Sequence, residues 1–133
     1  MYAARIVSRL QEPTFLILTA LGEQQLHGYA LLRRVEELSD GRLRLRAGTL
    51  YAALDRLVGE GLVAVDGEEV VEGRLRRYYV LSEVGHHALA LETHRWQANV
   101  AAANRVLAAK PAEGIAARPA DGLAAARPAE GFA

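Results

Sequence analysis

The chain has 133 residues, 16 Lys and Arg set against 16 Asp and Glu, and no cysteine. That length holds one modest core with appendages rather than two independent cores. Without cysteine, a disulfide scaffold, a thiol nucleophile and a cysteine-type zinc finger are excluded, and the expected location is cytoplasmic. A net charge of zero excludes a uniformly basic nucleic-acid coat but leaves room for a local basic patch.

Residues 1–11 read as an N-terminal extension. The apolar stretch Phe15 to Leu21 is far short of the roughly 20 residues that span a bilayer. Arg5 and Arg9 faintly imitate a signal peptide, but Glu12 and Pro13 stand where its apolar region would begin. The stretch therefore reads as a core helix, with Pro13 at a first helical position, Phe15, Leu16, Leu18 and Leu21 apolar, and Gly22 as a stop. No membrane partner is expected. A second helix covers about His27 to Leu38, with Tyr29, Leu31, Leu32, Val35 and Leu38 apolar and Arg33, Arg34, Glu36 and Glu37 exposed. Ser39-Asp40-Gly41 ends it. A third runs from about Ala47 to Glu60 and buries Leu50, Leu54, Leu57 and Val58, with Gly61 in the place of a C-cap.

The pattern then switches to period two. Leu62 to Val65 is one strand and Leu75 to Leu81 its partner, with the acidic stretch Asp66 to Gly73 belonging to the hairpin. Ser82 followed by Glu83 is a helix-start signal, and a helix of about 27 residues, about 40 Å long at 1.5 Å per residue, runs to Ala109 and stops at Pro111. From Lys110 onward come nine alanines, three of the four prolines and three imperfect copies of one unit: KPAEGIA, RPADGLA and RPAEGFA. Each copy carries a proline, a glycine and one large apolar residue, too little burial to offset ordering entropy, so residues 110–133 are expected to be disordered. The fold class is mainly α with a small β-hairpin: a winged helix-turn-helix over 12–82 and a C-terminal helix over 83–109.

At this point the sequence resembles the PadR family of bacterial transcriptional regulators, from Glu12 to about Gly85. The resemblance rests on five pieces in order: Pro13 to Leu18, Leu26-His27-Gly28-Tyr29, Gly48 to Leu57, Gly61-Leu62-Val63 and Arg76 to Ser82. Two positions depart from it. Ala52 stands where many members have proline, and Arg46 where many have a Ser or Thr cap. A cation beside a helix N-terminus is disfavoured by the macrodipole, a conflict that a nearby phosphate would relieve.

The chemistry of the same residues fits DNA. In a helix-turn-helix the N-terminal residues of the recognition helix enter the major groove; here these are Ala47, Gly48, Thr49 and Tyr51. Ala47 and Gly48 let backbone approach a phosphate, Thr49 can hydrogen-bond a base or touch a thymine methyl, and the Tyr51 hydroxyl can reach a phosphate or pack on the wing. Arg56, further along, reads as a salt-bridging surface residue. Arg42, Arg44 and Arg46 alternate with Leu43 and Leu45, so an extended segment points the three the same way. Arg74 and Arg76 share one face at the wing tip, and Arg77 points to the other with Tyr79 and Leu81. Such contacts set position and salt dependence rather than sequence choice.

On the long helix, Leu89, Thr93, Trp96, Val100, Ala103 and Leu107 follow spacings of four and three, a seam for a partner helix. The expected assembly is a homodimer with two recognition helices about one DNA turn apart, reading a palindromic operator as a repressor. The resemblance implies that this helix is the dimerisation element. In some members of that family a tryptophan of this helix stacks on a small planar aromatic effector; Trp96, the only tryptophan, is the candidate here, its alternative role being an interface anchor with no ligand. His86, His87 and His94 lack the spacing and carboxylate company of a metal site, and no cofactor is expected. No Gly-rich phosphate loop, G-x-S-x-G or H-E-x-x-H is present, so an enzyme is not expected. The alternative is a winged-helix module that binds a protein through the long helix and tail; it leaves the arginine clusters unexplained.

Overall fold

The structure, a computed structural model, describes residues 10–110. The repeated tail past Lys110 and the first nine residues of the expected extension lie outside the described residues. The elements are α1 (Glu12–Glu23), β1 (Leu26–His27), α2 (Gly28–Leu38), α3 (Ala47–Gly59), β2 (Val63–Val71), β3 (Arg74–Leu81) and α4 (Glu83–Ala109). The chain divides into two units, with the boundary between His94 and Arg95.

The first unit carries the three short helices, the sheet and the start of α4. Thr14, Ile17, Leu18 and Leu21 form the buried line of α1, the i, i+3, i+4, i+7 stripe of an amphipathic helix. Leu31 and Val35 of α2 and Leu50, Leu54 and Leu57 of α3 join it with no exposed surface. Two sequence expectations fail at the rim of this core. Val58 is 38% exposed and Tyr29 67% exposed; neither lies on the stripe that Leu50–Leu54–Leu57 or Leu31–Val35 presents.

Both early helices end in the same way. Asp40 adopts a positive φ of 55°, its N–H bonds the Glu37 carbonyl at 3.0 Å and that of Gly41 the Glu36 carbonyl at 2.8 Å. After α3, Gly61 has φ 82°, and the N–H groups of Gly61 and Leu62 bond the carbonyls of Val58 and Leu57, each at 3.0 Å. These paired bonds are the Schellman closure, which satisfies carbonyls that the helix leaves open.

The sheet has three strands in the order β1-β3-β2, one more than the hairpin expected from period two. The added strand pairs Leu26 with Tyr79 and His27 with Tyr78, which fixes the entry of α2 to the wing. The first hairpin strand also runs on to Val71 instead of stopping at Val65. Between Val65 and Glu68 the register shifts, where Gly67 takes φ 121°; this bulge absorbs one residue and lets pairing resume through the acidic stretch. The tip is a two-residue turn, Glu72 and Gly73, both at positive φ, the conformation that matches strand twist in a tight hairpin.

At the start of α4 the Ser82 hydroxyl accepts from the Gly85 N–H at 3.0 Å and donates to the Gly61 carbonyl at 2.6 Å, so one side chain caps α4 and ties it to the turn after α3. Gly85 comes so close to β2 that a Cβ would overlap the Leu62 carbonyl oxygen. Ala88 and Glu92 are buried as well. The second unit, from Arg95, continues α4 to Ala109, and every described residue in it past Arg95 is exposed. Among the described residues, no helix is long and apolar enough to cross a membrane.

Candidate nucleic-acid interface

The N-terminal edge of α3 is open. Arg46 occupies its N-cap with extended backbone (φ −84°, ψ 154°), offers no side-chain capping bond, and no acidic residue stands in the first turn. Ala47, Gly48 and Thr49 are all exposed. A helix start of this kind presents N–H groups and partial positive charge, with no side-chain cap among the described residues to answer them. Around Gly48 nothing stands within 4 Å of where a Cβ would be, so no packing demand among the described residues accounts for the glycine.

Tyr51 is 44% exposed, and its ring end lies against Gly28 rather than the wing. A Cβ on Gly28 would overlap the Tyr51 hydroxyl. The glycine thus lets α3 and the start of α2 approach closely, with the hydroxyl at that junction. Arg56 forms no ion pair among the described residues, contrary to the expectation of a salt bridge. Its Nη2 donates to the Thr14 hydroxyl at 3.4 Å, and both line a groove of about 430 Å³ between α1 and α3 that Thr49 also borders.

The expected arginine edge divides into two kinds. Arg42 bonds Glu12 at 2.6 Å, Arg44 bonds Glu36 at 3.0 Å and Arg77 bonds Glu68 at 3.0 Å. The carboxylate hydrogen bond raises the pKa of both Arg42 and Arg77 further above the usual arginine range. Arg46, Arg74 and Arg76 have no carboxylate partner among the described residues. The register explains the contrast on the wing. Arg77 faces Glu68 across the ladder and Arg76 faces Glu69, yet Glu69 is taken by the Tyr78 hydroxyl, which donates to it at 2.5 Å. Alternation along 42–46 does hold, since Leu43 and Leu45 pack on the core while the three arginines are exposed.

Of the expected seam on α4, Leu89 packs partly on its own core. The Thr93 hydroxyl donates to the Leu89 carbonyl at 2.8 Å, which satisfies it within the helix and leaves its methyl to present. In the second unit Trp96, Val100 and Leu107 are 49%, 54% and 57% exposed, and Ala103 is exposed too. Sequence reasoning missed the corner where β1 meets α2. There His27 caps α2, its Nδ1 accepting from the Ala30 N–H at 3.4 Å, and its ring stands edge-on to Tyr78 with centroids 5.6 Å apart. Burial, then the charges of Arg76 and Arg33, hold its pKa below the usual histidine value. The one local signal was His27-Gly28 directly ahead of an apolar periodic run.

Comparison with known proteins follows the same outline. The sequence profile of the Transcriptional regulator PadR-like family matches residues 17–91. Transcriptional regulator Rv3488 of Mycobacterium tuberculosis is 40% identical over 73 residues, which are 55% of this chain and 64% of that protein; the match therefore spans less than two thirds of that relative. A PadR family transcription regulator from Clostridium difficile superposes with a TM-score of 0.63 at 25% identity, over 73% of this chain and 99% of that one. Bacillus subtilis PadR, solved in complex with operator DNA, superposes with a TM-score of 0.52 at 21% identity, over 62% of this chain and 46% of that one, a likeness of fold. These relatives are transcriptional regulators, not enzymes. With the profile covering more than half of its residues, the chain belongs to the PadR-like family of transcriptional regulators.

Proposed function

We propose that this regulator is a homodimeric, sequence-specific DNA-binding repressor that works in the cytoplasm and occludes a palindromic operator. The observation that carries the reading is the open start of α3: uncapped N–H groups at Ala47 to Thr49 beside Arg46, which has no carboxylate partner among the described residues. Ala47 and Gly48 bring backbone to a phosphate, Thr49 reads a base edge, and Tyr51 adds a hydroxyl beside them. Arg74, Arg76, Arg77 and Arg44 supply electrostatic positioning from the wing and the segment before α3; Arg44 and Arg77 would first exchange a carboxylate for a phosphate. The operator complex of Bacillus subtilis PadR supports DNA as the partner.

The dimer is formed through the seam on α4. Trp96, Val100 and Leu107 present apolar surface left exposed among the described residues, and a two-fold pairing places two copies of α3 about 34–36 Å apart, one DNA turn. Genome-wide mapping of bound DNA tests the whole reading: a recurring palindrome is expected, and scattered occupancy without a motif overturns it. Sedimentation tests the dimer. A Val100→Asp chain should sediment as a monomer with its winged unit intact, and an unchanged dimer refutes the seam. Trp96 is also the residue against which a small planar aromatic effector would stack. Its fluorescence should respond to such compounds, and silence across a chemically broad panel removes effector sensing from the proposal.

A further inference from the structure

The groove between α1 and α3 has a cation at its edge and no anion to meet it. Its volume is about 430 Å³, Pro13, Ile17, Leu45, Ala52 and Ala53 form its apolar walls, and Arg56 and Thr49 border it. Arg56 is exposed and forms no ion pair among the described residues. Its one bond, to the hydroxyl of the buried Thr14 at 3.4 Å, is longer than an ordinary hydrogen bond. An apolar trough beside an unanswered guanidinium fits a short segment that joins a carboxylate to one large apolar side chain. The two segments outside the described residues differ in this respect. Residues 1–9 carry Arg5 and Arg9 and no acid, a charge that Arg56 repels. The tail carries the required pair three times over, as Glu113-Gly114-Ile115, Asp121-Gly122-Leu123 and Glu130-Gly131-Phe132. Length selects among the three. The 27 residues of α4 carry the chain about 40 Å, and Ser82 ties its start to Gly61, just past the helix that holds Arg56. Doubling back over that length takes about 12 extended residues at about 3.4 Å each. Glu113 follows Lys110 too soon and Asp121 falls short, whereas Glu130, about 20 residues on, has a reach of about 66 Å.

We propose that the unit Arg127 to Ala133 docks in the α1–α3 groove of its own chain, with the Glu130 carboxylate on the Arg56 guanidinium and the Phe132 ring in the apolar trough, and that the docked unit competes with DNA for Thr49. The competition rests on the DNA-binding reading above, in which Thr49 meets a base edge; the docking does not. Burial of the ring supplies most of the drive. The ion pair, exposed at the rim, contributes little by itself and sets the direction in which the segment lies, since guanidinium and carboxylate meet through two parallel N–H bonds. Gly131 between them gives the backbone freedom to turn from the rim into the trough. Tethering makes the contact intramolecular, so an affinity too weak to hold a free peptide still fills the groove. A duplex that takes Thr49 must displace the unit, and its apparent affinity is reduced by the fraction of chains whose groove is free.

The test uses the full chain, whose lack of cysteine makes Ala126→Cys the only attachment point for a nitroxide. Docking predicts that the label broadens the amide signals of Thr14, Thr49 and Ala53 equally across a dilution series. Phe132→Ala and Arg56→Glu should each remove most of the broadening, Arg56→Glu with Glu130→Arg should restore it, and Arg127→Gln should leave it unchanged. Unbroadened groove signals mean that the groove is empty or holds another occupant, the segment before Leu10 or a separate molecule, and overturn the docking. Broadening that fades on dilution assigns the contact to different chains and overturns it too, as does broadening that ignores Arg56→Glu. Competition is read on a labelled mixed-sequence duplex of about 30 base pairs, about three helical turns. Phe132→Ala should tighten binding, about twofold if the groove is filled half the time and about tenfold if it is filled nine-tenths of the time. An unchanged affinity overturns the competition. If wild type and Phe132→Ala both fail to bind at low salt, the DNA-binding reading itself falls, a result on which the nitroxide measurement does not depend.

Discussion

The winged unit and the distal stretch of α4 treat apolar side chains in opposite ways. In the winged unit Ile17, Leu18, Leu31, Leu50, Leu54 and Leu57 have no exposed surface, and the C-terminal ends of α2 and α3 are closed by backbone bonds. From Trp96 to Leu107, Val100, Val106 and the two end residues are about half exposed or more. Among the described residues, one region holds the buried core and the other leaves its large apolar side chains exposed. Among the described residues, the core closes without the apolar side chains of this stretch.

The largest expected effect breaks this contrast from the domain side. Leu54→Ala removes a fully buried side chain and should cost the winged unit about 2–5 kcal/mol, read as a lowered midpoint in urea. Leu107→Ala, on an exposed stretch, should cost under roughly 0.5 kcal/mol at concentrations where the chain is monomeric. Equal losses at the two positions would mean that the distal stretch of α4 is as much a part of the folded core as α3.

A second comparison sharpens the picture within the winged unit by setting two helical glycines against each other. At Gly85 a Cβ meets the Leu62 carbonyl oxygen and Leu81, so Gly85→Ala must push α4 off β2 and should cost roughly 1–3 kcal/mol. At Gly48 nothing stands within 4 Å, and Gly48→Ala should stabilise the isolated chain by up to about 1 kcal/mol through helix propensity. If Gly48 exists for close approach to a phosphate, the same change weakens duplex binding while it raises the melting temperature. Stability and binding moving together at Gly48 would argue that its role is in the fold.

Much of this architecture was legible from sequence because its signals are local. Pro13 removes a donor that the start of α1 would leave open, Gly61 and Ser82 mark helix ends within a turn of the backbone groups they satisfy, and α4 runs over the residues that Ser82 and Pro111 bracket. The strand Leu26–His27 was not legible, because two residues have no period and exist as a strand only against Tyr78 and Tyr79. The candidate interface was readable to the same depth. Alternation of Arg42, Arg44 and Arg46 with Leu43 and Leu45 gave their exposure. Which arginines are already neutralised depends on partners brought from elsewhere, Glu12 of α1 for Arg42 and Glu36 of α2 for Arg44, and on Tyr78 drawing Glu69 away from Arg76. Val58 and Tyr29 were misplaced for a related reason. Each is apolar and near a helical stripe, and only the angle at which neighbouring helices meet decides on which side of the rim it falls.

The smallest expected effect concerns acid, and it too should separate the two regions. His27 has its pKa lowered from 6.5 in the folded chain, by burial first and then by Arg76 and Arg33. The unfolded chain therefore binds the extra proton more readily, and stability from this group is complete above pH 6.5 and declines as pH falls from there through the depressed folded value. The Glu23 carboxyl is lowered from 4.5, chiefly by its hydrogen bond from Arg34, so its share is present above 4.5 and is lost only at lower pH. Acid should thus weaken the winged unit in two stages. His27→Asn keeps a competent helix cap and removes the titrating ring, so it should abolish the first stage and leave the second. Denaturant midpoints measured in steps of pH would show this as a flatter profile just below 6.5, the ordinary histidine value. A variant that still weakens over that interval would place the first stage elsewhere, and the corner at β1 would then have no part in the acid response.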